Sequence, residues 1–366
     1  MKTPWTNELS RIVFLELRRD IQIGKTKLPK GFALPVLYDE LERKVLAGQS
    51  GDFTNSEVLR GILLLYALDE DFPDRDIYSS IVHQLQSPSQ SLLPFFVEIS
   101  QSDQKLAFLL SLGYYHLGLA DPTTMLFTAE SADDLYRENS EEKISDIAFN
   151  LYREIHQISP SWQSNYHLAY HYYNRDRYED ALQHISACYD ELPSDELRTE
   201  ITQLFMLSEQ KSVFHEGKKL LFKERYDEAL IKFHSLHEEF PGWYDLHFFT
   251  GLSYRMLQQF SRALVFFYRA LSLKRDDPQL YNEMAICHLM LNEPLEAEPL
   301  LEAALQLDRD NPELLCNRAI VYIRTDRLHE AREDLLRARK LDPSDELYFE
   351  WLNYLSGLEE QSEILN

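Results

Sequence analysis

YDLHFFTGLSYRMLQQFSRALVFFYRALSLKRDD, residues 244–277, sets Gly251, Ala263 and Ala270 among large residues at helical spacing. Ala263 is one of five alanines in a single register: Ala181, Ala229, Ala263, Ala297 and Ala331. The last four are 34 residues apart, and the first gap, 48, is longer by 14. Twelve positions before each alanine stands another small residue: Ala169, Gly217, Gly251, Ala285 and Ala319. Seven after come Cys188, Leu236, Ala270, Ala304 and Ala338, and four after come Ile185, Phe233, Phe267, Leu301 and Leu335. Helix backbones approach closely only where side chains are small, so a 34-residue period of this kind predicts stacked helical hairpins. Prolines 193, 241, 278, 312 and 343 close or open the helices.

Composition is consistent with an all-α array. The chain has 366 residues, 44% of them hydrophobic, and only 11 glycines, few for a large sheet with tight turns. Net charge is −24, and acids are concentrated in 278–311 and after Glu346. Such a surface repels phosphate backbones and argues against nucleic acid as a partner. Three scattered cysteines without a CxxC pair read as reduced core thiols. Charges interrupt the first 20 residues, and no run of 18 apolar residues follows. The expectation is a cytoplasmic protein with no membrane insertion.

The register resembles the tetratricopeptide repeat. Gly251, Tyr254, Ala263, Phe267 and Ala270 match that family's small, aromatic, Ala, aromatic, Ala pattern, and the two central small positions are matched in all five units. The resemblance implies a right-handed α-solenoid with repeats at 162–195, 210–243, 244–277, 278–311 and 312–345. Departures are Leu236, Arg275, Arg309 and Pro294, the last expected to shift the start of its helix. The extra residues 196–209 carry Leu197, Ile201, Leu204 and Phe205 at helical spacing without Pro or Gly, predicting one long helix from about Ser194 to Lys223. Residues 346–366 read as a capping helix with an acidic tail. Upstream, 101–161 reads as a degenerate repeat with a polar insertion between Asp121 and Glu142. Residues 1–100 read as a helical amino-terminal module, with helices near 5–21, 33–47, 55–69, 74–86 and 91–100.

Signals for chemistry are weak. Gly24-Lys25-Thr26 lacks the upstream glycine and strand of a phosphate loop. His167 and His171, and His234 and His237, have metal-ligand spacing but no third ligand nearby in sequence, and packing roles are expected. No GxSxG or cysteine-nucleophile context is present. No enzyme activity, cofactor or metal is expected.

The resemblance instead implies a peptide site on the first helix of each hairpin. Carried over position by position, the lining is Tyr166, Tyr170 and Tyr173; Phe214, Lys218 and Phe222; Phe248, Leu252 and Arg255; then Asn282 and Ile286, with Ile320, Ile323 and Arg324 in the last unit. The Lys and Asn residues by which one subset of the family grips a terminal carboxylate are missing. An apolar groove for a protein or peptide partner is expected, as in an adaptor or chaperone-like scaffold. The alternative is a peptide-sensing regulator resembling the Rap-type family, in which an amino-terminal helical bundle contacts an output partner.

Overall fold

Helices account for most of the backbone in the computed structural model, which describes residues 5–48, 53–69, 71–85 and 91–365, without the side chains of Thr6 and 359–365. The molecule divides into two compact units between Phe205 and Met206.

The first unit opens differently from the sequence expectation. In place of a helix over 5–21 there is a short 3₁₀ turn, Thr6–Arg11, followed by β1 (Ile12–Glu16), β2 (Ile21–Ile23), β3 (Thr26–Leu28) and β4 (Ala33–Leu37). β1 pairs antiparallel with β4, Phe14 opposite Pro35, and β2 with β3. The β-branched run Ile12-Val13 and the turn residues explain it: Gly24 and Gly31 adopt φ of +57° and +85°, a region open to glycine. Gly24-Lys25 is therefore the tip of a two-residue hairpin between Ile23 and Thr26. Helices α1 (Tyr38–Leu46), α2 (Asn55–Leu68), α3 (Arg75–Leu85), α4 (Leu93–Ser100) and α5 (Gln104–His116) complete this part.

The centre is α2, whose Ile62, Leu63 and Leu64 are wholly buried. A helix apolar on every side must be surrounded, and α2 packs on β4 and α5. Two glycines permit it. A Cβ at Gly61 would lie 2.1 Å from the Pro35 carbonyl oxygen, and one at Gly113 1.9 Å from that of Leu63.

One hydrophobic core runs from Trp5 to Ala181, so residues 1–100 are not a separate helical module. The polar insertion after Asp121 is also corrected. It is a helix, α6 (Pro122–Asn139), capped by Asp121 on the Thr124 N–H and paired with α7 (Glu142–Ile158). Its charged residues hid a buried stripe of Met125, Ala129, Ala132 and Leu135. The hairpin α8 (Trp162–Tyr173) and α9 (Tyr178–Cys188) follows, and α10 (Asp195–Phe222) passes from one unit to the next.

The second unit continues with α11 (Tyr226–His237), α12 (Tyr244–Met256), α13 (Phe260–Leu273), α14 (Pro278–Met290), α15 (Pro294–Leu307), α16 (Pro312–Arg324), α17 (Leu328–Leu341) and α18 (Glu346–Leu365). The packed pairs are α12 with α13, α14 with α15 and α16 with α17, and each second helix also touches the next first helix. At each hairpin crossing, volume is traded between two positions. Cβ atoms at Gly217 and Gly251 would stand 2.6 Å from the rings of Phe233 and Phe267. Where the small residue is Ala285 or Ala319, the large one is Leu301 or Leu335, all fully buried.

The hairpin turns share one device. Asp176, Glu224, Gln258, Asn292 and Asp326, equivalent in the 34-residue register, all have left-handed φ of 56–63°. The next N–H returns to the preceding helix, as from Gln259 to the Tyr254 oxygen at 2.9 Å, the bond of a Schellman cap. Pro294 does not shift its helix. It is the first residue of α15, where a missing N–H costs nothing.

Gly113→Ala tests the α2–α5 crossing, because the clash is with main chain that cannot step aside. It should cost about 3 kcal/mol in urea denaturation; a change within about 0.5 kcal/mol, the range of neutral surface substitutions, would contradict this packing.

Candidate functional site

The residues expected to line a groove fall into three environments. In the first unit, Tyr166, Tyr170 and Tyr173 are half-buried on α8. Tyr166 and Tyr170 meet edge to face at 5.2 Å, Tyr170 donates to Glu200 Oε1 at 2.8 Å, and Tyr173 packs on Tyr178. Burial, then the Glu200 carboxylate, pushes the Tyr170 hydroxyl far above its ordinary pKa.

In the second unit, Phe214 is not a lining residue. It is 5% exposed, with its ring 4.5 Å from Trp243 and against Phe233 and Phe249. Lys218 lies over Phe249 at 4.7 Å, so its charge is already engaged by a ring. Phe222, at the end of α10, is 70% exposed.

From α12 to α16 the expected polar groups bond to one another. Arg255 pairs with Glu283, which Gln279 also reaches at 3.1 Å. Burial raises the Glu283 carboxyl pKa despite Arg255. Asn282 is fully buried, another correction; it donates to Glu313 at 2.8 Å and accepts from Asn317 at 2.8 Å. Arg324 donates to the Leu289 carbonyl at 2.7 Å. These bonds tie α12, α14 and α16 together, and they occupy the side chains that a peptide would otherwise engage.

Apolar residues remain between them. Phe248 is half-buried beside Tyr244. Leu252, Ile286 and Ile320 hold one register position on successive first helices, each half-buried. The row ends at a cleft of about 430 Å³ between α16 and α18, lined by Ile320, Ile323, Leu347, Trp351 and Tyr354, with Arg324 and Glu350. The sequence reading assigned residues 346–366 only to covering the array. Leu347, Trp351 and Tyr354, spaced four and three apart, carried the signal of a second apolar face.

The histidine pairs have partners within the fold. His171 contacts Asp133 at 3.0 Å, and Tyr152 donates to the same carboxylate at 3.0 Å. His167 stacks on Tyr152. His234 reaches Tyr254 at 2.8 Å, and His237 reaches Thr250 at 2.9 Å while stacking on His247. Among the described residues no three His, Cys, Asp or Glu are placed to hold a metal. Burial, followed by repulsion from His247, His234 and Arg269, lowers the His237 pKa to about 4. A base held below its unfolded value contributes stability above about pH 6.5 that is lost as pH falls toward 4. His237→Gln should therefore show a smaller loss of urea midpoint between those pH values than the parent; an identical loss would contradict the buried neutral ring.

Residues 292–350 match a family model described as the tetratricopeptide repeat. No curated protein matches the chain. Solved structures of low identity resemble it. MamA from residue 41 onward, of Desulfovibrio magneticus RS-1, is 17% identical over 42% of this chain and 88% of that one, with a TM-score of 0.40. PilF of Pseudomonas aeruginosa is 17% identical over 62% and 97%, with a TM-score of 0.41. TTC0263, a thermophilic protein of this repeat class from Thermus thermophilus, is 20% identical over 53% and 98%, with a TM-score of 0.36. The family match spans α15, α16, α17 and the start of α18, in step with the 34-residue register; this part of the chain carries the tetratricopeptide repeat.

Proposed function

We propose that this protein is an interaction scaffold that holds a peptide segment of a partner protein on the first helices of its second unit. The α16–α18 cleft is the observation that carries the reading. Along α12 and α14 the polar side chains are consumed by Arg255–Glu283 and Asn282–Glu313. At α16 and α18 an apolar surface remains open, with Leu347 and Tyr354 46% and 54% exposed. A patch built from Trp, Tyr and aliphatic side chains and flanked by one Arg and one Glu suits apolar anchors of a short segment. Leu252, Ile286 and Ile320 extend the track for a longer one, and Phe248 marks its far end.

A helical bundle that relays peptide binding does not fit the first unit, where strands and α2 share one core with α5. The scaffold reading is therefore preferred to the Rap-like regulator.

A photo-crosslinking residue placed at Tyr354 in the native cell should capture a partner peptide, whereas one at Leu336, equally exposed on α17, should not. Replacing Leu347 and Tyr354 together by Ala should weaken capture about tenfold, or about 1.4 kcal/mol. Equal capture at Leu336, or none at Tyr354, would refute this location.

A further inference from the structure

Among the described residues, no strand pairs with the edge of β1 that faces away from β4. Main-chain parity along β1 is fixed at two points. The Leu17 N–H donates to the Phe32 oxygen at 2.9 Å, continuing the β1–β4 ladder. Pro35, opposite Phe14, has no N–H to give. Residues 13, 15 and 17 thus turn their main-chain groups toward β4, and Ile12, Phe14 and Glu16 turn theirs outward. The Ile12 N–H is used by the Leu9 oxygen at the end of the 3₁₀ turn. Among the described residues, no main-chain bond outside the helices and strands engages the N–H and C=O of Phe14 and of Glu16 or the C=O of Ile12.

Beside the edge is a second feature. A pocket of about 480 Å³ is lined by Ile12 and Phe14 of β1, Ala33 of β4, Leu65 and Phe72, and by the acidic residues Asp69 and Asp74. Phe14 is 49% exposed, although it sits at the centre of the strand. The loop after α2 adds exposed Asp71, and the first turn of α3 adds exposed Asp76. Arg75, the first residue of α3, lies over the Tyr66 ring at 4.6 Å. This strand edge, an apolar pocket and an acidic rim thus lie together.

We propose that the β1 edge binds an extended segment of a partner protein, which adds a third strand, places an apolar side chain in the pocket and sets Lys or Arg against the acidic rim. Main-chain bonds to Phe14 and Glu16 supply the pairing, as in β-augmentation generally. The rim chooses the occupant: a chain of net charge −24 disfavours a second copy of itself at an acidic site and favours a basic segment. This surface is distinct from the α16–α18 cleft and does not depend on it.

Glu16→Pro removes one outward donor without touching the β1–β4 ladder, and an edge strand tolerates proline there. Asp74→Asn removes a rim charge while keeping a residue suited to its φ of +59°. The probe is a fluorescent peptide of alternating Val and Thr with terminal Lys and Arg, titrated into the full chain; its control carries Glu at the basic positions. The basic peptide should bind saturably, about tenfold more weakly to Glu16→Pro and more weakly to Asp74→Asn, and the acidic control should not bind. Binding unaffected by both substitutions, equal binding of the control, or no binding of the basic peptide would overturn the proposal. A dimer of the parent chain in sedimentation equilibrium that Glu16→Pro dissolves would also overturn it, in favour of a second copy at the edge.

Discussion

The contact on which the second unit depends is the one at the centre of each hairpin, where a residue with little or no side chain lies under a large one. Gly217 and Gly251 sit under Phe233 and Phe267. Ala285 and Ala319 occupy the same places opposite Leu301 and Leu335. A methyl group gained on one helix is balanced by a ring lost on the other, so that each crossing stays filled without strain. Because the trade recurs every 34 residues, α12, α14 and α16 present equivalent positions side by side, and Leu252, Ile286 and Ile320 form one row.

Along that row the same geometry produces two kinds of surface. Between α12, α14 and α16, adjacent first helices are close enough for Arg255, Glu283, Asn282, Glu313 and Asn317 to satisfy one another. Polar groups bonded in this way, with Asn282 and Glu283 buried among them, hold neighbouring helices in register. After α16 the following first helix is α18, which offers Leu347, Trp351 and Tyr354 instead of hydrogen-bonding partners. The cleft arises where the polar ladder stops.

How much was legible in the sequence follows from what each element needs. Small residues in a fixed period are demanded by backbone approach, so the hairpins could be read residue by residue. The β1–β4 strands could not. They are three to five residues long, and the charges around them mimicked a helical face. Their signals were the β-branched pair Ile12-Val13 and the glycines at the turns. The α6 helix was hidden because only Met125, Ala129, Ala132 and Leu135 of its 18 residues gave an apolar stripe. Among the expected groove residues, position in the repeat located the correct helices but not solvent. Phe214 was drawn into the core by Trp243, which precedes α12, and Asn282 by partners on α16. Neighbours distant in sequence decide such cases, and a single-repeat pattern does not contain them.

A double-mutant cycle at Gly251 and Phe267 tests the volume trade most directly. Gly251→Ala alone should destabilise the second unit, because its methyl group meets the ring, even though alanine is the better helix former by about 1 kcal/mol. Phe267→Leu alone should also cost stability, through the cavity it leaves. Together they recreate the pair found at Ala285 and Leu301, and the double variant should recover at least about 1 kcal/mol relative to the sum of the singles. Additive costs, with no recovery, would mean that the small and large residues do not fit one another and that the register has another cause.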